Sequence, residues 1–400
     1  MIARMALGLG FLLMPLYPTF ILLSPLQLAG VSIVPRPMVF VVLAVLVAIA
    51  LVLLVDVVRS RAPLPPTVRG LAIFVGAMTL AALFGFDPIA GLLAAVILLM
   101  GTIGHAAILA HYGDAGTART IFTGFLWGGS IVSLLASAMA LVRIPADLYV
   151  IGHGRAIGTF LAPNECAGFL LMFVPIAFGI ALIAHERALR VLGFAGAGLG
   201  LIALVLTFSR AGWIGFVAGA GYAIYVMRRS WLPLYIALAL VLAVSGSALL
   251  RETHHNPSED FTRIAAWKAG IGAVERFPLS GVGPMSFWRV YPLVRPPDGE
   301  PAAFHPHNVL LSIAAESGLV GLASFLFAWL RFGRALRSAL ATATPQARYL
   351  ALAVTTGLVA TWVQGMVDMV TVVVLGLWLP FMAVALAAAR CGLPPKASEL

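Results

Sequence analysis

Apolar residues along this chain come in blocks of about twenty, separated by short polar connections. A helix of about 20 apolar residues crosses the roughly 30 Å hydrocarbon core of a bilayer and satisfies its own backbone hydrogen bonds there. The pattern therefore predicts an all-α integral membrane protein with about twelve transmembrane helices. The predicted spans lie near residues 6–24, 37–57, 69–86, 88–110, 121–142, 165–184, 190–208, 211–227, 231–250, 308–330, 348–367 and 369–389.

One long polar stretch, residues 251–307, interrupts this pattern. It holds twelve charged residues in 57, whereas the remaining 343 residues hold 28. Within it the segment from Asp260 to Phe277 has the periodicity of a helix, and a short helix up to Tyr291 follows a glycine-rich turn. The apolar positions of the longer helix share one face, which we expect to lie on the membrane surface or on the helix bundle. They are Ile264, Trp267, Ile271 and Val274.

The same pattern divides the chain into four regions. Residues 1–142 hold the first five spans, and residues 143–250 hold spans six to nine with a shorter outer segment over 143–164. The polar loop occupies 251–307, and residues 308–400 hold the last three spans.

Composition excludes a soluble protein. Hydrophobic residues make up 62% of the chain and charged residues 10%, with a mean hydropathy of +1.04. A soluble domain of this size cannot bury so much apolar surface. The net charge of +10 does not indicate nucleic-acid binding, because the basic residues lie between spans rather than along one face.

The distribution of charge predicts the orientation. With both termini in the cytoplasm, the cytoplasmic side holds 15 of the 25 Lys and Arg residues and four acidic residues, and the other side holds ten basic and eleven acidic residues. This obeys the positive-inside rule. For a bacterial chain it predicts a multi-pass inner-membrane protein whose 251–307 loop is periplasmic.

Two arginines are candidate anion-binding residues. Arg210 lies between two apolar spans with almost no loop, where a charge is costly unless it is paired or solvated. Arg263 lies on the predicted loop helix. The planar guanidinium group binds phosphate through two hydrogen bonds and stays charged. The alternatives are a snorkelling arginine at 210 and a solvated helix charge at 263.

Candidate acid–base residues lie beside the next span. His305 and His307 immediately precede it, and Asn308 begins it. Histidine is the side chain most easily poised as a base near neutral pH, although one at an interface can be a passive polar group. Asp368, between the last two spans, is either a turn residue or a partner that orients a histidine or pairs with an arginine.

The shorter outer segment adds Arg155 and Asn164, whose surroundings indicate a shaped turn with either a structural or a substrate-binding role. No metal site is predicted. His254 and His255 raise the possibility, but no carboxylate or cysteine spacing supports it.

Four elements occur in a fixed order over roughly residues 150–370. They are Arg155-x-x-Gly158-Thr159-Phe160-x-x-Pro163-Asn164, then Ser209-Arg210-x-x-Trp213, then Arg263-x-x-x-Trp267 leading to Pro278-x-x-Gly281-Val282-Gly283, and His307-Asn308-x-x-Leu311 through Glu316-x-Gly318-Leu319-x-Gly321. This arrangement resembles the O-antigen ligase and O-antigen polymerase superfamily, and it is closest in pattern to the ligases.

The resemblance implies a metal-independent, GT-C-like integral-membrane glycosyltransferase with no cofactor. Its donor would be a glycan on undecaprenyl diphosphate, its acceptor a sugar of lipid A–core, and its surroundings membrane lipids. The implied catalytic residues are His307, Arg210 and Arg263. The implied substrate-binding residues are Arg155, Asn164, Trp267, His305, Asn308 and Asp368. The alternatives are a polymerase of the same superfamily and, in a different class, a membrane transporter.

Overall fold

A computed structural model describes residues 1–16, 26–28, 31–33, 37–60, 63–113, 115–144, 146, 152–160, 162–240, 258–297, 299, 301–368 and 372–391. The helices before the polar loop are α1 (Ile2–Leu13), α2 (Pro37–Arg59), α3 (Pro66–Leu83), α4 (Pro88–His111), α5 (Ala115–Val142), α6 (Pro163–Ile183), α7 (Arg187–Leu206) and α8 (Arg210–Arg228). The loop contains α9 (Ser258–Arg276) and α10 (Phe287–Val294), and after it come α11 (Val309–Ala341), α12 (Pro345–Val367) and α13 (Val372–Cys391).

Two short elements depart from a purely helical chain. Strands β1 (Leu26–Leu28) and β2 (Val31–Ile33) pair antiparallel, with Leu26 opposite Ile33. Single 3₁₀ turns cover Met14–Leu16 and Arg229–Trp231. The all-α prediction is thus correct for the described helices and missed this strand pair.

Eight of the described helices are long and apolar enough to cross a membrane. They correspond to the predicted spans two to seven, ten and eleven. The first predicted span is a shorter apolar helix, Ile2–Leu16, and the described apolar part of the last is Trp378–Arg390. The eighth is the helix α8, and the ninth is helical over 232–240 before it leaves the described residues. A multi-pass membrane protein is therefore supported, and the count of twelve is not confirmed.

Helix α6 lies at the centre of the bundle. Nearly all of its residues are buried, and it packs against α7 and α12. Phenylalanine rings fill the space around it, with Phe125 and Phe173 at 5.2 Å and Phe169 and Phe173 stacked at 5.9 Å. This central helix begins at the polar end of the bundle, where the candidate residues lie.

A break in α11 attaches the polar loop to the bundle. Gly318 has φ +68°, a conformation that costs a glycine little, so two helical segments meet there at a kink. Loop amides satisfy the carbonyls that the kink releases: Val282 N–H donates to Ala315 O (2.9 Å) and Gly283 N–H donates to Glu316 O (2.8 Å). In return Leu319 N–H donates to the carbonyl of Pro278 (2.7 Å).

The loop helix α9 forms where the periodicity predicts it, but a different face is buried. The buried residues are the small ones, Ala265, Ala266, Ala269 and Ala273, whereas Ile264 and Ile271 are exposed. Alanine lets α9 approach its neighbours α10 and α11 closely, which bulky side chains would prevent. The larger apolar face, including Trp267 and Val274, instead lines a groove described below.

Candidate functional site

The polar centre of the molecule forms around Asp368, which follows the last residue of α12. Its side chain is 2% exposed. His307 Nδ1 lies 3.1 Å from Oδ1, Arg263 Nη2 lies 3.5 Å from Oδ2, and Asn164 Nδ2 donates to Oδ2. His307, Arg263 and Asn164 therefore meet at one carboxylate, although they lie 61, 105 and 204 positions from Asp368 in the chain.

Asn164 extends this network to two further elements. Its Oδ1 accepts a hydrogen bond from Ser209 Oγ at 2.7 Å and a longer one from Arg155 Nη2 at 3.5 Å. Its backbone carbonyl accepts a hydrogen bond from Gln364 Nε2 at 2.6 Å. Asn164 thus joins the start of α6 to the turn before α8 and to the last turn of α12.

The Arg155 side chain is fixed by the end of α7. Its Nε donates to the carbonyl of Thr207 (2.9 Å), and its Nη2 donates to the carbonyl of Phe208 (3.3 Å). Phe208 has φ +47°, an uncommon conformation for a bulky residue. This turn directs the carbonyl groups of Thr207 and Phe208 toward the Arg155 guanidinium group and holds it near Asn164.

Three helix N-termini meet at this centre. Asn164 lies in the first turn of α6, Ser209 caps α8 by accepting from Gly212 N–H (3.1 Å), and Asn308 caps α11 by accepting from Leu311 N–H (3.0 Å). The unpaired amides of a helix N-terminus carry about half a positive charge and favour anions. Ser209 and Asn308 are capping residues directly before apolar helices, whereas α6 begins at Pro163 after Ala162 and has no side-chain cap.

The start of α11 is also tied to the end of α12. Asn308 Nδ2 donates to the carbonyl of Met366 at 2.8 Å, and Asp368 N–H continues α12 by donating to Gln364 O at 2.9 Å. These contacts fix the position of Asp368 relative to His307, which directly precedes Asn308.

The backbone of His307 is held in a specific orientation. His307 has φ +49°, and its carbonyl accepts a hydrogen bond from Trp267 Nε1 at 3.1 Å. Nδ1 contacts Asp368, and no described residue hydrogen-bonds to Nε2. When the Asp368 carboxylate accepts a hydrogen bond from Nδ1–H, Nε2 carries the lone pair and can act as a base.

Two pKa shifts define the charges near His307. Burial would raise the pKa of Asp368, but the hydrogen bond from His307 and the charges of His307 and Arg263 outweigh it and lower the pKa to about 2. Burial lowers the pKa of His305 to about 3, and the neighbouring His307 adds to this effect. Near neutral pH, Asp368 is therefore ionised and His305 is neutral.

His305 lies against His307, with ring centroids 4.3 Å apart. Its Nδ1 is buried without a hydrogen-bond partner among the described residues. A neutral ring in this position packs against His307 without adding a positive charge.

The sequence predicts no metal site, yet His305, His307 and Asp368 each offer a ligand atom within 4.8 Å of the others. Both oxygens of Asp368 already accept hydrogen bonds, and one of the donors is the guanidinium group of Arg263. A fixed positive charge 3.5 Å from the carboxylate opposes a cation there. The donor set therefore fits a hydrogen-bonded histidine–carboxylate pair better than a metal. His254 and His255 lie outside the described residues.

Hydrogen bonds, an ion pair and a ring contact join seven predicted site residues to one another, and an eighth, Asn308, fixes the start of α11 beside them. The eight residues are Arg155, Asn164, Arg263, Trp267, His305, His307, Asn308 and Asp368. Arg210 is the first residue of α8, directly after Ser209, so its backbone lies at the same centre. Sequence reasoning missed the role of Gln364, whose signal was a lone buried amide within an apolar span.

A groove of about 500 Å³ opens beside the centre, between α9 and α11. Its walls are mostly apolar, and Trp267 and Asn308 lie at the end nearest His307. The lining residues are Trp267, Ile271, Val274, Glu275, Asn308, Leu310, Leu311, Ala314 and Leu322.

Comparison with known proteins adds two findings. Residues 195–326 match the family model described as O-antigen ligase. The exopolysaccharide production protein ExoQ of Rhizobium meliloti (strain 1021) is 26% identical over 228 residues, which is 51% of this chain and 51% of that protein. The chain thus aligns with about half the length of this curated relative.

The two matches confirm the resemblance to the O-antigen ligase and polymerase superfamily. The matched family region contains Arg210, Arg263 and His307. Asn164 and Asp368 lie outside it, and the structure brings both into contact with the matched part.

Proposed function

We propose that this protein is a membrane glycosyltransferase of polysaccharide biosynthesis, and more specifically an O-antigen ligase. It would transfer a glycan from undecaprenyl diphosphate to a sugar of lipid A–core, on the periplasmic face of the bacterial inner membrane. The observation that carries the proposal is the His307–Asp368 pair, surrounded by arginines and by three helix N-termini. The family match supports the same class of reaction.

The positive groups suit a diphosphate leaving group. Arg263 contacts Asp368 at 3.5 Å, Arg155 contacts Asn164 at 3.5 Å, and Arg210 begins α8 beside them. Arginine and helix N-termini both stabilise phosphate oxygens. Charge grows on the leaving diphosphate as the glycosidic bond breaks, so donors aimed at it lower the barrier, commonly by a few kcal/mol per group.

His307 would act as the general base. Its Nε2 takes the proton of the acceptor hydroxyl while that oxygen attacks the anomeric carbon. The bond between this carbon and the diphosphate oxygen breaks, the diphosphate leaves with the electron pair, and the anomeric centre is inverted. A positioned base contributes roughly 10²–10⁴-fold. Asp368 acts through His307, because it holds the Nδ1 proton and balances the charge of the protonated ring.

The apolar groove between α9 and α11 would receive the polyprenyl chain of the donor. It begins at Trp267 and Asn308, next to His307, and its remaining lining is mainly aliphatic. A lipid tail in this groove would leave the diphosphate at the positive centre.

A polymerase of the same superfamily is the second candidate, which the similarity to an exopolysaccharide production protein favours. Both enzymes would use the same donor and differ in the acceptor hydroxyl. A transporter is less well supported. Transporters place charged residues near the bilayer midplane at broken helices, whereas the described arginine–histidine centre lies at helix ends.

Complementation of a deletion strain tests the proposal. Lipopolysaccharide and undecaprenyl-linked glycans are resolved on one gel in strains expressing wild type, Arg210→Ala or His307→Ala. For a ligase, the deletion and both variants lack long glycan on lipid A–core and accumulate polymeric undecaprenyl-linked glycan. Single repeat units remaining on the core would instead identify a polymerase.

Two controls make the result specific. Membrane levels of each variant must match wild type, and Arg289→Lys provides an arginine substitution outside the centre. Unchanged glycans in the deletion strain would refute both glycosyltransferase readings. Near-normal product from His307→Ala would remove that residue from its assigned role.

A further inference from the structure

The short turn between α3 and α4 packs against the polar loop at a junction formed by residues 84–87 and 277–289. Phe86 N–H donates to Val282 O at 2.9 Å, and Asp87 N–H donates to Ser286 Oγ at 3.2 Å. The rings of Phe86 and Phe277 meet edge to face at 5.4 Å. The α3–α4 turn, which carries none of the sequence motifs, is thus a fixed support for the loop.

The surface of this junction is apolar although it belongs to a connecting turn and a polar loop. Phe84 is 77% exposed and Leu279 is 70% exposed, and Ile89 beside them is also exposed. Leu80 and Leu83, which precede Phe84 on the membrane helix α3, are exposed as well. Large exposed apolar side chains in a membrane protein indicate contact with lipid or a partner.

Helix lengths indicate the depth of the junction. From Arg69 to Leu83, α3 rises about 21 Å, and from Arg331 to Gly318, α11 rises about 20 Å, at 1.5 Å per residue. The starting points of the two measurements, Arg69 and Arg331, lie at the same depth, because the Arg331 side chain lies beside Gly70. With Arg69 and Arg331 at the cytoplasmic edge, as the charge distribution predicts, both distances fall short of the roughly 30 Å hydrocarbon core.

We propose that this junction lies within the acyl-chain region of the bilayer, and that Phe84, Ile89 and Leu279 contact lipid chains rather than water. The polar loop would therefore descend to meet a turn that, measured from Arg69, lies below the outer membrane surface. The inference does not depend on the proposed reaction, since it uses helix lengths, exposed side chains and the predicted membrane orientation.

The polar groups at the junction are compatible with this depth. Irregular backbone is tolerated in a membrane where its hydrogen bonds are satisfied by protein, as those of Phe86, Val282 and Gly283 are. Asp87 is paired with Arg289 at 2.5 and 2.9 Å, and the Arg289 guanidinium group lies 4.5 Å from the Trp288 ring centroid. Paired charges of this kind cost far less in lipid than isolated ones.

Spin labels measure the depth directly. Single cysteines replace Phe84 or Leu279 in the full-length protein carrying Cys166→Ala and Cys391→Ser. Each is labelled with a nitroxide in phosphatidylcholine vesicles. Collisions with oxygen, which concentrates in hydrocarbon, are compared with collisions with a water-soluble nickel chelate. Leu80→Cys is the control in the membrane, and Lys268→Cys, exposed on α9, is the control in water.

The expected oxygen-to-nickel collision ratios at positions 84 and 279 lie closer to that of the Leu80 control than to that of the Lys268 control. Ratios close to the Lys268 control at both positions would overturn the proposal. Both substituted side chains are exposed, so little packing is lost, and the two positions lie in separate parts of the chain. Phe86→Cys supplies a third position if one variant fails to fold.

Discussion

Asp368→Asn is the substitution that tests the histidine–carboxylate pair most directly. It keeps the volume of the side chain but removes the negative charge, and an amide offers one acceptor oxygen where the carboxylate has two. The contacts with His307 Nδ1 and Arg263 Nη2, at 3.1 and 3.5 Å, lose their ionic partner. The imidazole is then no longer held with its proton on Nδ1, so fewer molecules present a basic Nε2.

The contact of Asp368 with His307 determines the size of the loss in kcat that we expect. If Asp368 acts through His307, we expect a loss in kcat of about 10²–10⁴-fold, the range of a positioned base, which corresponds to about 3–5 kcal/mol of barrier. A change in acceptor KM of less than threefold should accompany it, because Asp368 contacts the base rather than the acceptor.

The assay uses purified protein in lipid nanodiscs, radiolabelled undecaprenyl-diphosphate oligosaccharide as donor and lipid A–core as acceptor. Asp87→Asn is the matched control, because Asp87 is also a shielded aspartate paired with an arginine, on the α4 N-cap. Asparagine still caps a helix, so kcat should stay within twofold of wild type. The reasoning fails if Asp368→Asn keeps kcat within threefold of wild type, or if Asp87→Asn loses as much.

Three further predictions follow from the same contacts. The pKa of Asp368 in the folded protein is lowered to about 2 from an ordinary 3.8, so the stabilisation it gives is present above pH 4 and is lost as the pH falls toward 2. Over that interval the free energy of unfolding of wild type should fall by about 2 kcal/mol more than that of Asp368→Asn. Thermal unfolding in detergent measures the difference. Gly318→Ala should destabilise the protein by about 1–3 kcal/mol, because φ is +68° and a β-carbon would collide with the carbonyl of Leu279. Gly333→Ala in the same helix, with open space around it, should not lower the midpoint of thermal unfolding. Removal of divalent cations with a chelator should leave transfer unchanged, since an arginine contacts the carboxylate, and activity that returns only on adding Zn²⁺ or Mg²⁺ would establish a metal at His305, His307 and Asp368.

The sequence by itself determined the membrane environment and the side chains that are candidates for chemistry. Twenty-residue apolar blocks have one stable solution in lipid, the helix, so the class of fold follows from hydropathy alone. The interrupting polar segment, its helix α9 and the residues Arg263, His307 and Asn308 were all readable, because charged and histidine side chains are conspicuous in such a chain. The pairing of strands β1 and β2 was not predictable from their composition, which suits a helix or a strand equally.

Tertiary structure decided which of these residues lie together. Sequence left Asp368 as either a turn acid or an orienting partner, and the choice depends on where the ends of α11 and α12 meet. The buried face of α9 was also undetermined, because close packing selected its alanines over its larger apolar residues.

The support of the loop by the α3–α4 turn could not be inferred either, since the residues that meet there are nearly 200 positions apart. Local patterns report which side chains prefer water or lipid and which can cap a helix. Contacts between distant segments depend instead on helix lengths, on kinks such as the one at Gly318, and on hydrogen bonds that form only after the bundle has assembled.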